Sequence, residues 1–200
     1  MPDSRYAYII GYHSCDRELG LRLVNGDDEL KVSKNTWDWL GEGIYFWEED
    51  PARALQYAEE VAAGKQKNKV AAKVPFVIGA IIEPGKCLNL VEIESLQILA
   101  EAYEGLREVL QFSGRPMPVN NDNNRALDCA VINYINRAAA DKGSTPYDSI
   151  RCAFPEGDEA FPGSKISSRL HIQLCVRNPD NIKGYFLPRP LQKYNPNLVQ

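Results

Sequence analysis

Histidine is scarce in this chain: His13 and His171 are the two in 200 residues. Neither has cysteines paired with it at ligand spacing, so no zinc or other metal site is expected. The five cysteines, at 15, 87, 129, 152 and 175, form no CxxC and sit mostly in apolar segments. We read them as reduced, buried thiols of a cytoplasmic protein. There is no run of apolar residues long enough for a membrane span, roughly 18. The N-terminus, Met1-Pro2-Asp3-Ser4-Arg5, carries no apolar core of a secretory leader. There is no GxGxxG and no Walker A sequence, which argues against Rossmann and P-loop nucleotide binding. Basic residues are not in excess: the net charge is −4. That argues against a large nucleic-acid footprint, while leaving room for a local basic groove.

What is present suits an ordinary soluble domain, with 44% hydrophobic and 25% charged residues. Two hundred residues fit one domain. We expect residues 1–188 to form it, and the Pro-rich tail 189–200 to be extended. Tyr6 to Tyr12 reads as a strand. Arg17 to Val24 reads as a helix, capped by Ser14 or Asp16 and ended by Asn25-Gly26. Residues 27–36 read as a loop. Glu48-Glu49-Asp50-Pro51 is a helix start, with Asp50 as cap and Pro51 in the first turn. Val74 to Ile82 reads as a strand. Ile93 to Phe112 and Asn124 to Ala140 carry helical periods, with Leu96, Leu99, Tyr103, Leu106 and Leu110 inward on the first. Tyr147 to Phe154, Leu170 to Val176 and Ile182 to Leu187 read as strands. Pro155 to Gly163 reads as an acidic loop. Strands outnumber helices without strict alternation, so the expected class is α+β.

Three places carry chemistry. His13 ends an apolar strand, where an imidazole can face a ligand or serve as a satisfied core side chain. Gly41-Glu42-Gly43 lets the backbone approach something closely. In Ile44-Tyr45-Phe46-Trp47, alternation sends Tyr45 and Trp47 to one side and Ile44 and Phe46 to the other. Tyr57 follows in the next helix and can supply a second plane. Two aromatic planes make a slot for a flat ring, more so for a cationic one, or simply pack together. His171 and Gln173 share a strand face with Arg169 and Arg177, which either is solvated or borders a site.

Leu40-Gly41-Glu42-Gly43-Ile44-Tyr45-Phe46, followed by Ala54-Leu55-Gln56-Tyr57, resembles the GxGIYF…SxxY stretch of the PARP-like, diphtheria-toxin-type ADP-ribosyltransferases. Tyr12-His13-Ser14-Cys15 resembles that family's HGS strand, and Leu170 to Leu187 its last strand pair. The resemblance covers roughly residues 6–60 and 145–190. It implies split antiparallel sheets with flanking helices around an NAD cleft. It implies NAD+ as co-substrate, with His13 on the nicotinamide ribose, the Ser14 backbone on the carboxamide and Cys15 near the adenosine ribose. Gly43 would border the ligand, and Tyr45 and Tyr57 would sandwich the nicotinamide. Ser14 stands where the family has glycine, and Ala54 where it has serine. The third catalytic position falls at Gln173, or at His171, and that strand holds no glutamate. This implies transfer of a single ADP-ribose, or an acid supplied by Glu156, Asp158 or Glu159 of the neighbouring loop. The implied activity is mono-ADP-ribosyl transfer to a macromolecular acceptor. Nucleic acid (RNA or DNA) is preferred over protein, because Trp37, Trp39 and the loop 119–124 could contact bases. NAD+ glycohydrolysis, and an inactive domain that binds NAD+, ADP-ribose or a partner protein, are the alternatives. By analogy with small family members, a toxin–antitoxin or phage-defence setting is expected, with an antitoxin as partner.

Overall fold

The computed structural model describes residues 8–65, 73–121 and 124–198. The chain runs β1 (Ile9–Asp16), α1 (Arg17–Asn25), β2 (Ile44–Glu48), α2 (Pro51–Ala62), β3 (Pro75–Ile82) and β4 (Cys87–Asn89). Then come α3 (Ile93–Phe112), β5 (Asn120–Asn121), β6 (Asn124–Arg125), α4 (Ala126–Asp141), β7 (Ser149–Glu159), β8 (Ser167–Val176), β9 (Ile182–Phe186) and α5 (Leu191–Tyr194). This is a mixed α+β architecture. One seven-stranded sheet has the order β4-β7-β8-β2-β1-β3-β9, and β5-β6 form a separate pair. Neighbours in the large sheet are antiparallel except β4 and β7, which are parallel.

Local chemistry explains the helix ends. Asp16 caps α1 by accepting from the Glu18 N–H, and Gly26, at φ 80°, closes it. Asp50 caps α2 by accepting from the Arg53 N–H, with Pro51 in the first turn. The alternation of β2 buries Ile44 and Phe46 with Ile9, Leu23, Phe76, Ile78, Leu174 and Val176, on the sheet face that Leu19, Leu21 and Val24 of α1 pack against. Tyr45 and Trp47 point to the opposite face. There Tyr45 packs with Leu40, Ile132, Ile150 and Cys175, and Trp47 with Ala54 and Val77. Helices α2 and α4 thus cover different parts of one face.

Three elements differ from the sequence reading. β7 runs on to Glu159, so Glu156 and Glu159 stand in a strand and not in a loop. Pairing with β8 through Glu156↔Arg169 and, past a bulge, Glu159↔Ser167 carries the ladder through the acidic residues. On α3 the buried residues are Ser95, Leu106 and Leu110, while Leu96 and Tyr103 are exposed. The inward stripe follows α4, whose Val131 joins Leu106 and Leu110 with Leu99, Ala102, Leu127 and Tyr134 around them. The tail docks instead of trailing. Asn195 is fully buried, accepting from the Val77 N–H at 2.8 Å and donating to the Val77 carbonyl at 2.9 Å. Its amide continues the β3 edge beyond the last β9 pair, Gly79↔Phe186. Among the described residues no helix is long and apolar enough to cross a membrane.

Candidate functional site

The sheet forks between β1 and β2. Their register pairs are Gly11↔Glu48 and Tyr12↔Trp47. β1 stays paired with β3 over its whole length, from Ile9↔Ile82 to Asp16↔Pro75. Backbone bonding fixes which way each peptide points. The Arg17 N–H donates to the Val74 carbonyl, and the Glu49 N–H to the Ile10 carbonyl. Antiparallel ladders alternate, so odd residues of β1 bond β3 and even residues face β2. The peptide groups of Ser14 therefore face the gap beyond the fork. His13 stands at its apex. Its Nδ1 lies 2.8 Å from the Tyr45 carbonyl oxygen. That carbonyl would meet Ser14 if the ladder continued, so the imidazole takes a place that strand pairing would fill.

The glycine turn beside the fork is held by the protein itself. The Tyr45 hydroxyl donates to the Gly41 carbonyl at 2.6 Å and accepts from the Leu40 N–H at 2.9 Å. Asn133 Oδ1 accepts from the Glu42 N–H, and Arg177 donates to the Glu42 carbonyl and to Asn133 Oδ1. A Cβ at Gly43 would lie 2.2 Å from Cys175 Sγ. The close approach that these glycines permit is to α4 and β8. Burial raises the Tyr45 hydroxyl far above its usual pKa. Cys15 is buried in the opposite core, its thiol pushed up to about 12 chiefly by burial.

A second group of polar side chains gathers where Trp47 meets β8. Trp47 pairs with Gln173, and Cys152, Phe154 and Glu156 of β7 share that face with Gln173, His171 and Arg169. The face is buried at His171, whose side chain is 1% exposed, and opens toward water at Glu156 and Arg169, which are 22% and 38% exposed. Gln173 Nε2 lies 3.0 Å from His171 Nε2, and His171 Nδ1 lies 2.8 Å from the Arg169 carbonyl. A carbonyl can only accept, which assigns the proton to Nδ1 and leaves Nε2 as acceptor from Gln173. Desolvation is the largest influence on His171 and lowers its pKa.

Arg53 of α2 reaches into this group. It is 7% exposed, and its Nη2 donates to Glu156 Oε2 at 2.9 Å. Its guanidinium lies 5.6 Å from the Trp47 ring and 5.8 Å from the Tyr57 ring. Those two rings are 5.0 Å apart at 49°. Three buried donors here have no hydrogen-bond partner: Arg53 Nε, Arg53 Nη1 and Trp47 Nε1. A shallow cleft of about 330 Å³, lined by Asp50, Ala52, Arg53, Gln56, Ser168, Arg169 and Leu170, opens beside them.

The structure therefore brings the expected residues together in two sets. His13, Ser14 and Tyr45 meet at the fork. Tyr57, Glu156, His171 and Gln173 meet at the Arg53 cluster. The ring partner of Tyr57 is Trp47 and not Tyr45. Glu159 stands apart, near the tip of the β7–β8 hairpin, accepting from the Gly163 N–H. Trp39 packs on Phe154 beneath the Arg125 guanidinium, at 4.9 and 4.2 Å, so internal contacts use that ring. In loop 119–124, residues 122 and 123 lie outside the described residues. Arg53 was not singled out from the sequence. Its spacing of four from Tyr57 puts both on one helix face, and that is the signal that could have found it. Among the described residues, no group of three or more His, Cys, Asp or Glu is placed to hold a metal ion.

No protein-family model matches the chain. An uncharacterized protein of Methanocaldococcus jannaschii is similar to it, with 24% identity across 94% of this chain and 92% of the archaeal one.

Proposed function

We propose that this chain transfers a single ADP-ribose from NAD+ to a macromolecular acceptor, using an ADP-ribosyltransferase-like fold. The observation that carries the reading is the fork between β1 and β2. Elsewhere the sheet separates its two faces, whereas the fork lets one ligand touch groups from both. His13 is at its apex, the Ser14 peptide faces into it, and Gln173 stands level with it through the Tyr12–Trp47–Gln173 row. A flat carboxamide can pair with the outward N–H and C=O of Ser14, as a neighbouring strand would.

The chemistry is heterolysis of the bond between nicotinamide and ribose. The electron pair of that bond goes to the pyridinium nitrogen, which leaves as neutral nicotinamide. Positive charge grows at the ribose C1′ and is shared with the ring oxygen. Protein dipoles and the Glu156 carboxylate, fixed before reaction, stabilise that charge. The acceptor's oxygen or nitrogen then forms the new bond to C1′ and loses its proton. Glu156 is the carboxylate positioned nearest to His171 and Gln173, and we assign it that proton. Gln173 orders the site through His171 and carries no charge, which favours one transfer over chain growth.

We favour nucleic acid as acceptor over protein, with Trp37 as the stacking surface for a base. By analogy alone, we place the activity in a toxin–antitoxin or phage-defence setting. The test is incubation with NAD+ labelled in its adenylate half, with and without cell lysate, following nicotinamide release and macromolecular label. Label removed by nuclease is the expected result. Release without label would replace transfer by glycohydrolysis, and no release would overturn both.

A further inference from the structure

Among the described residues, Arg53 carries two of the buried side-chain donors that lack a hydrogen-bond partner. It pairs with Glu156, and its Nε and Nη1 are buried without hydrogen-bond partners. Burying a donor without an acceptor costs free energy. Its ring contacts are the favourable side: Trp47 and Tyr57 both lie within the roughly 6 Å reach of a cation–π contact. Two aromatic faces and a carboxylate form a cage whose complement is a flat, delocalised cation. A guanidinium satisfies shape and charge but brings five N–H groups, more than the cage can meet. An N-alkylated pyridinium ring is likewise flat and cationic and has no ring N–H. A carboxamide on that ring also offers an oxygen to Trp47 Nε1, the third unmet donor.

We propose that Trp47, Tyr57 and Glu156 form a planar-cation site that Arg53 plugs in the ligand-free protein, and that a pyridinium ligand enters by displacing the Arg53 guanidinium. The cleft beside Arg53 gives the displaced side chain an exit, and Asp50 on its wall offers a carboxylate on arrival. Both are at the first turn of α2, so the move needs rotation of one side chain and no change of fold. The inference rests on the proposed use of NAD+ for its natural ligand, though the cage itself does not.

The test compares wild type with Arg53→Ala, which empties the cage, using N1-methylnicotinamide as the pyridinium probe, methylguanidinium as the guanidinium probe and neutral nicotinamide as control. We expect Arg53→Ala to bind N1-methylnicotinamide at least tenfold more tightly than wild type. Methylguanidinium should raise the thermal midpoint of Arg53→Ala and leave wild type unmoved, and neutral nicotinamide should do neither. Equal binding of N1-methylnicotinamide by both proteins, or by neither, overturns the plug. If Arg53→Ala does not fold, the wild-type Arg53 side-chain Nε–H resonance, assigned by its loss in Arg53→Lys, supplies the answer. It should leave its ring-shifted position when N1-methylnicotinamide is added to saturation, and a resonance that stays put overturns the plug. NAD+ separates the two claims. Turnover with the same KM in wild type and Arg53→Ala sinks the plug and keeps the activity. Tight N1-methylnicotinamide binding by Arg53→Ala, with no NAD+ turnover by either protein, keeps the cage and sinks the activity.

Discussion

Replacing Glu156 by glutamine tests the polar cluster most directly, because it removes one charge and little volume. The carboxylate is 22% exposed, its partner Arg53 is 7% exposed, and they meet at 2.9 Å. Removing one member of a fully buried ion pair costs about 3–5 kcal/mol, mostly because the other charge stays buried without a counter-charge. Two features lower that figure here. Glu156 keeps some contact with water, and the glutamine oxygen can still accept from Arg53 Nη2 as a weaker, neutral hydrogen bond. We therefore expect a loss of about 2–3 kcal/mol. In a chain of this size each kcal/mol moves the thermal midpoint by about 2–4 °C, so the midpoint should fall by about 4–12 °C. Calorimetry and urea unfolding at neutral pH measure both quantities.

The single variant alone could mislead, since any change near a core lowers stability. A double-mutant cycle with Arg53→Met isolates the pair, because methionine keeps an unbranched stem and drops the charge. The two changes together should cost less than the sum of the singles, with a coupling of about 2 kcal/mol. A Glu156→Gln protein within about 0.5 kcal/mol of wild type would refute the reasoning. So would a coupling near zero, which would make Arg53 a residue held by its rings alone.

Four further outcomes follow from single contacts. Desolvation lowers the His171 pKa below its unfolded value of about 6.5, so the unfolded chain takes up that proton first as pH falls. The His171 contribution is then complete above about pH 6.5 and lost as pH falls toward the folded value. Urea unfolding should show a smaller loss between about pH 7.5 and 5.5 in His171→Asn than in wild type, and equal losses would contradict this. Gly43→Ala places a Cβ 2.2 Å from Cys175 Sγ and 2.9 Å from the Val176 carbonyl, so it should cost about 3 kcal/mol, only partly restored by Cys175→Ala. Burial pushes the Cys15 and Cys175 thiols up to about 12, so a thiol reagent at about pH 8 should leave both unlabelled until urea is added. Asn195→Ala strips the Val77 N–H and C=O of their partner, which should cost about 2–4 kcal/mol and open residues 188–198 to protease.

The contrast between β2 and the tail shows what the sequence could convey. Ile44-Tyr45-Phe46-Trp47 reads correctly because strand alternation is a property of four consecutive residues: Phe46 goes to one core, Tyr45 and Trp47 to the other face. Asp50-Pro51 reads correctly for the same reason, since a cap is local. Asn195 does not, because its burial depends on Val77, 118 positions away. The polar face of His171 and Gln173 was visible, but its occupant was not. Whether a polar strand face meets water or a buried arginine is decided by a helix more than 100 positions upstream. The glycine turn misled in a more instructive way. Close approach was the right inference from Gly41 and Gly43, and a ligand was the tempting object. The atoms that come close are Asn133 Oδ1 and Cys175 Sγ. Their contacts, with the bonds from Tyr45 and Arg177, leave the turn no free donor or acceptor on Gly41 C=O or on either backbone group of Glu42. What is left near β2 is the Ser14 peptide, which faces the fork, and the buried Trp47 Nε1, Arg53 Nε and Arg53 Nη1 donors, which have no hydrogen-bond partner. Both lie within two residues of the Tyr12–Trp47 pair along the strands, or pack directly on it. Under the proposed function, a ligand at the resemblance-bearing stretch would meet donors on both sides of that pair.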